Sequence, residues 1–391
     1  MIHVRLPAQT LAAVCAATVC VAGWQRTGPP GVQPPSPTPT RLWHVAEAAR
    51  GGPAIDEGAA YFLTSRHEVL SVDRETGNVR WQKQTYESGE LLSGAAVLIS
   101  GRNLVVGDYN LLAFDRDTGS LLWRFIPAEG DAPGIYLGTI TDGAAVAGSA
   151  SGHVYAVDAE HGALRWSTSI AQDGRTTVYA PAAHGSLVAA GYTEFSAPPR
   201  GGVALLDART GRLLWKRSFP LPDDGLLSSN WAGGPVFLGD VVVVSSGDGN
   251  VRGFDLETGD IRWTIPKLEG RLLFPIAADH DFRALAVDAD LLVSSSSTGA
   301  VVAYDNTTRE ERWRYVGTGL GSAAFRISAE NGRVYVPFLN GMLVSLDSAS
   351  GRERWRLGTY TSAFLWPPAP GGDRLFVTGG GDGLVAVEDP R

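Results

Sequence analysis

The sequence predicts an all-β protein, an eight-bladed β-propeller whose ring closes by pairing of its N- and C-terminal strands. Three observations predict this. One hairpin unit recurs seven times with constant internal spacing, the units follow at the period of a propeller blade, and an eighth unit is divided between the two ends of the chain.

The unit is seen in LLAFDRDTGSLLWRF, residues 111–125. Large apolar residues recur on alternate positions before and after a short turn, as half-buried strands require. In the turn, Asp115 can accept backbone N–H bonds, and Gly119 supplies a positive φ without steric cost. Trp123 is then the apolar anchor of the second strand. The same unit appears at Asp73/Gly77/Trp81, Asp158/Gly162/Trp166, Asp207/Gly211/Trp215, Asp255/Gly259/Trp263, Asp305/Trp313 and Asp347/Gly351/Trp355, with Asp and Trp eight residues apart each time. Successive Trp residues lie 42, 43, 49, 48, 50 and 42 positions apart. A period of that size, with several strands per repeat, is a propeller blade. The segment 375–391 supplies strands with Glu388 at the Asp position, and 40–45 supplies the missing Trp strand with Trp43 as anchor. Closure by these termini leaves no open sheet edge in the array.

The A-x-D-x-x-T-G-x-x-x-W pattern, as in VYAVDAEHGALRWST (154–168), resembles the tryptophan-docking motif of the quinoprotein-type, pyrroloquinoline-quinone-like eight-bladed propellers. The resemblance covers residues 40–391 and implies that each Trp packs on the motif of the next blade. Two departures fall in turns: Thr308-Arg309 lacks the Gly, and His161 replaces Thr. Both are expected to weaken a local hairpin.

Composition narrows the function. Charged residues are 19% and the formal net charge is −8, with no basic stripe, which argues against nucleic-acid binding. The chain divides into residues 1–23, a secretory signal peptide or membrane or lipid anchor; 24–39, a Pro-rich spacer; and 40–391, the propeller. Both cysteines, Cys15 and Cys20, lie in the leader, and Cys20 is a candidate lipidation site. The expectation is an extracytoplasmic protein of the bacterial cell envelope, secreted or anchored by its N-terminus. The propeller is expected to be monomeric and free of disulfides.

Loop lengths point to a working face. The turns of the hairpin units keep one length, whereas 192–202, 218–234 and 267–285 swell connections at the opposite end of the blades. Loops on a rigid scaffold are where function concentrates. Aligning the inner strands on Pro53, Leu98, Gly138, Pro181, Pro235, Leu285, Ser328 and Ala369 places Gly51, Ala96, Tyr136, Tyr179, Gly233, Arg283, Arg326 and Pro367 at that mouth. Arg283 and Arg326 fall in adjacent blades, as do Tyr136 and Tyr179, and Trp231 and Trp366 lie close in register. Two guanidiniums opposite an aromatic arc suit an anionic or aromatic ligand, because Arg forks carboxylates and stacks on rings. The same side chains could instead fill the funnel or pair with Asp279, Asp281 or Glu330. His44, His67, His153, His161, His184 and His280 show no metal-ligand spacing. The glycine-rich 245–250 and 379–384 read as turns, since no helix follows them.

Two functions follow from the resemblance. One is a non-catalytic exported platform that binds an envelope protein or a small ligand and needs no cofactor; the propeller lipoprotein of the bacterial barrel-assembly machinery is similar in length and in its exported leader. The other is a dehydrogenase of alcohols or sugars that uses pyrroloquinoline quinone with calcium. That second family tends to carry a vicinal Cys-Cys pair over the quinone, which a propeller without cysteine cannot form. No carboxylate can be nominated as its base.

Overall fold

Each hairpin unit becomes the outer half of an antiparallel sheet. The computed structural model describes residues 38–85, 96–127, 134–170, 176–196, 199–220, 232–266, 284–296, 299–316, 327–338, 340–358, 366–379, 381 and 383–390. Among them are eight sheets, seven of four strands and one of five. Blade one runs Ala49–Ile55, Ala59–Thr64, Glu68–Asp73 and Val79–Gln84 in sequence order. Blades two to seven repeat this over 96–125, 135–169, 176–218, 236–265, 285–316 and 328–358. Blade eight combines Ala369–Gly371, Arg374–Gly379 and Gly383–Glu388 with Arg41–Val45 from the other end of the chain, Trp43 lying opposite Ala386. The fifth strand arises in blade four. There Thr176–Val178 and Ala182–His184 both pair with Leu187–Glu194, and the break falls at Pro181, which has no N–H for a ladder.

The core is distributed among the joints between blades. Eight apolar clusters form, one at each joint. Leu104, Val106, Leu112 and Phe114 of blade two face Tyr61 and Trp81 of blade one. The alternate residues Val105, Leu111 and Ala113 join Ile135 and Leu137 of blade three. Middle strands are therefore buried on both faces, which is why they read as continuous apolar runs. Each fully buried Val or Leu contributes about 1.5–3 kcal/mol, so stability is spread over the joints rather than held in one core.

The hairpin motif works across those joints. In blade one, Asp73 Oδ1 accepts the Thr76 N–H and hydroxyl, both at 2.8 Å, and Gly77 N donates to the Asp73 carbonyl at 2.8 Å. Gly77 sits at φ +75°, and a Cβ there would come within 2.6 Å of the Trp43 ring. Its glycine is thus needed twice, for the turn and for the indole that lies on it. Trp43 Nε1 donates to the Arg74 carbonyl at 3.1 Å. Trp81, Trp123, Trp166, Trp215 and Trp313 make the same bond to Arg116, Ala159, Ala208, Leu256 and Ser348.

The two departures in the motif do not weaken their hairpins as expected. His161 N donates to Asp158 Oδ1 at 2.8 Å, and its ring Nδ1 reaches the same oxygen at 3.1 Å, in place of the threonine hydroxyl. Arg309 takes φ +66°, the glycine conformation, and its N–H still reaches the Asp305 carbonyl at 2.9 Å. Blade eight receives Trp355 by a side chain rather than a carbonyl. Its Nε1 donates instead to Asp389 Oδ1 at 2.9 Å, while Asp389 Oδ2 accepts the Tyr335 hydroxyl at 2.5 Å and pairs with Arg333.

Candidate funnel-mouth site

The first strands of successive blades lie side by side around the ring. Their register can be counted from the second-strand residue that pairs with the docking Asp: Ala144 with Asp158, Leu187 with Asp207, Ala59 with Asp73 and Leu291 with Asp305. Four residues onward stand Gly148, Gly191, Leu63 and Ser295. Tyr136 pairs with Gly148, Tyr179 N donates to the Gly191 carbonyl, Arg50 pairs with Leu63, and Ser295 N donates to the Ala284 carbonyl. The tyrosines are therefore equivalent, as the sequence alignment has them. In blade one the position belongs to Arg50 rather than Gly51, and in blade six to Ala284 rather than Arg283. The physical cause is the register. Blade one has two extra residues between Arg50 and Ala54, blade three one between Leu137 and Thr139 and blade six none, so blades one and six each differ from blade three by one residue.

Tyr136 and Tyr179 meet edge to face, with ring centroids 5.8 Å apart and planes at 72°. That geometry suits the ring quadrupoles. Both rings are half-buried. Burial, with the neighbouring Tyr136, pushes the Tyr179 hydroxyl up to about 12 against the opposing bond from Thr193. Trp366, half-buried, immediately precedes Pro367 at the entry to blade eight. Arg283, Arg326 and Trp231 lie outside the described residues, as does Cys20.

Beside the tyrosines, between blades one and two, lies a polar cluster that the sequence reading did not single out. Asp108 is 6% exposed and ends the second strand of blade two. Its Oδ2 receives His67 Nδ1 at 2.8 Å and the Thr85 hydroxyl at 2.8 Å, and Arg50 Nη1 stands 4.0 Å from its Oδ1. Desolvation lowers the Arg50 guanidinium pKa, with Asp108 and Tyr109 opposing. His67 occupies φ +58° at a turn where Gly152, Gly249, Gly299 and Gly341 stand in other blades. An L-residue there carries strain on the order of 1 kcal/mol. The side chain, bonded across the joint, is what the strain accompanies. Aligning these turns by glycine could have exposed His67 from the sequence.

A blade with this docked hairpin, repeated around a ring closed by its termini, defines the class: a quinoprotein-type, pyrroloquinoline-quinone-like β-propeller. Within it, the profile of the family described as "Outer membrane protein assembly factor BamB" matches residues 35–197, 178–274, 199–364 and 297–390. The chain belongs to that family. It is similar to BamB of Yersinia pestis, 23% identical over 367 residues that cover 87% of this chain and 86% of the relative. BamB of Alteromonas naphthalenivorans is 29% identical over 189 residues, 46% of this chain and only 44% of the relative. A polyvinylalcohol dehydrogenase of Sphingopyxis is 23% identical over 380 residues, 81% of this chain and 52% of the relative. Among solved structures, BamB of Moraxella catarrhalis superposes with a TM-score of 0.63 at 19% identity, covering 90% of this chain and 99% of that one. The quinohemoprotein alcohol dehydrogenase of Comamonas testosteroni does so at 0.66 and 14%, covering 90% and 77%. These two likenesses speak to the fold alone.

Among the described residues, no three His, Cys, Asp or Glu side chains come together as a metal-holding set. No chemical step is routed through a calcium-held quinone.

Proposed function

We propose that the chain is an exported, non-catalytic binding platform of the cell envelope, held there by its N-terminal segment and docking a protein partner at the funnel mouth. The observation that carries this reading is the match to the outer-membrane-protein assembly factor family around the whole ring. The mouth supplies what a docking patch needs. Tyr136 and Tyr179 present a rigid aromatic pair, Arg50 stands at the equivalent position two blades away, and Trp366 flanks the last blade. Aromatic residues and arginine are the side chains on which binding energy concentrates. A second platform reading, a small anionic or aromatic ligand in place of the protein, uses the same residues.

The test is a photo-crosslinking amino acid placed at Tyr136 in cells, with exposed Arg209 in the hairpin turns as control. The expected result is a covalent adduct with an envelope protein from position 136 only, in the membrane or periplasmic fraction. Adducts from position 209 alone would mean that the turns are the working face. A chain found wholly in the cytosol would remove the export reading.

The similarity to a polyvinylalcohol dehydrogenase favours a second function, quinone-dependent oxidation of alcohols. Incubation with pyrroloquinoline quinone and calcium, followed by a dye-linked alcohol assay, decides it; turnover with stoichiometric quinone would make the chain an enzyme.

A further inference from the structure

The joint between blades five and six carries donors that no acceptor among the described residues meets. Seven docking tryptophans donate their indole N–H to the next blade. Trp263 does not: its Nε1 is buried and without a hydrogen-bond partner among the described residues. The Arg309 guanidinium carbon lies 4.3 Å from the centroid of the Trp263 ring. Arg309 Nε and Nη1 are likewise buried without an acceptor. A buried donor left unmade costs about 1–3 kcal/mol, so three at one joint call for an explanation.

Two residue choices create the arrangement. Arg309 stands at the position whose glycine elsewhere lies against the preceding tryptophan, as Gly119 does on Trp81 and Gly351 on Trp313. Gly253 stands opposite Trp263 where Ala113, Ala156, Leu205 and Ala303 face the tryptophans of their own blades. A Cβ at 253 would lie 2.2 Å from the Trp263 ring, so the indole leans over its own strand and the guanidinium covers it from the next blade. The nearby carboxylates already have cations. Asp240 and Asp255 pair with Arg262, and Asp290 and Asp305 pair with Arg312. No carboxylate among the described residues lies within ion-pair distance of Arg309.

We propose that this joint is a carboxylate-binding site, with Arg309 and Trp263 as its donors. A carboxylate offers two coplanar oxygens to the guanidinium fork, and an oxygen beside the indole gives Trp263 Nε1 its missing acceptor. Four acidic side chains around a single spare guanidinium disfavour a dianion such as phosphate. The carboxylate is either the side chain of a partner protein or a small free acid.

The test follows the indole N–H resonances of the full chain labelled with nitrogen-15 in tryptophan, the Trp263 signal being assigned by its loss in Trp263→Phe. Sodium acetate and a short Glu-containing peptide are titrated separately, against sodium chloride at equal ionic strength. The expected result is a saturable shift of the Trp263 resonance with acetate or peptide, weakened at least tenfold in Arg309→Gly. That variant restores the residue other blades use at this φ, so it retains the fold. Saturation by the peptide alone identifies a partner's side chain, and saturation by acetate identifies a small acid; either supports the site. An equal response to chloride, no saturation with either probe, or an unchanged response in Arg309→Gly overturns it.

Discussion

Replacing Asp389 by alanine tests how blades seven and eight are locked. Asp389 is 3% exposed, and one carboxylate satisfies three groups: the Trp355 indole, the Tyr335 hydroxyl and the Arg333 guanidinium. Trp355 has no exposed surface, so its N–H has no route to water once the acceptor is gone. Removing one partner of a buried ion pair costs about 3–5 kcal/mol, and each orphaned neutral donor about 1–3 kcal/mol. These do not add, because the three groups share one acceptor, and the Arg333 side chain is 13% exposed, so water reaches it in part. The expected loss is about 3–4 kcal/mol in urea unfolding, read at equal m-value against the parent. Asp389→Asn keeps an acceptor for Trp355 but loses the charge and the oxygen that Tyr335 and Arg333 share, so it should recover only part of the loss. A loss under about 1 kcal/mol for the alanine variant would refute the assignment of Asp389 as the acceptor that locks Trp355.

Trp43→Ala should cost about as much as Trp123→Ala, ~3–5 kcal/mol, because the divided blade docks like a continuous one; a Trp43 variant that melts like the parent contradicts this. Acid should unfold the ring in a defined direction. Burial works against ionised Asp248, but its bonds from Arg252 and Ser246 prevail and hold its carboxyl at about 2, and turn N–H groups of Thr308 and Thr307 with Arg312 hold Asp305 at about 2. Carboxyls depressed on folding stabilise above the ordinary value near about 4 and lose that contribution as pH falls toward 2. Unfolding midpoints should therefore drop over that window, less steeply in Asp248→Asn. His67→Gly should relieve backbone strain yet destabilise by about 1 kcal/mol net, since buried Asp108 loses a partner; a gain in stability would mean the imidazole bond contributes nothing.

The blade count and the closure were legible because each hairpin needs an acceptor, a glycine and an indole at fixed distances. Asp73, Gly77 and Trp81 each answer a separate geometric demand, so the spacing cannot drift. The inner strands carry no such marker. Their length varies, from three residues in Val236–Leu238 and Ser328–Glu330 to seven in Ala49–Ile55 and Ile135–Thr141. Blade one carries two extra residues where blade three carries one, and that difference of one was enough to hide Arg50 behind Gly51. Tyr136 and Tyr179 aligned because blades three and four each carry one extra residue just after that position, whereas the ladder of blade six carries none. Asp389 was illegible for another reason: it stands just beyond the motif's Glu388, and only the fold brings it to Trp355.

The positions that escape the repeat are those where its own logic gives way. Asp142, Ala289 and Asn331 also have positive φ, but each lies in the tight turn between the first two strands of its blade and belongs to turn chemistry. His67 and Arg309 do not. Each replaces a glycine that other blades retain, each accepts a left-handed backbone, and each sends its side chain across a joint, to Asp108 and to Trp263. Six other blades keep the glycine that Arg309 replaces, and at least four keep the one that His67 replaces, which makes these exceptions informative. Strain of this kind persists only where surrounding structure over-determines it, and at both joints the neighbouring blade supplies that determination. The structure therefore separates the residues that make a propeller from those that make this one.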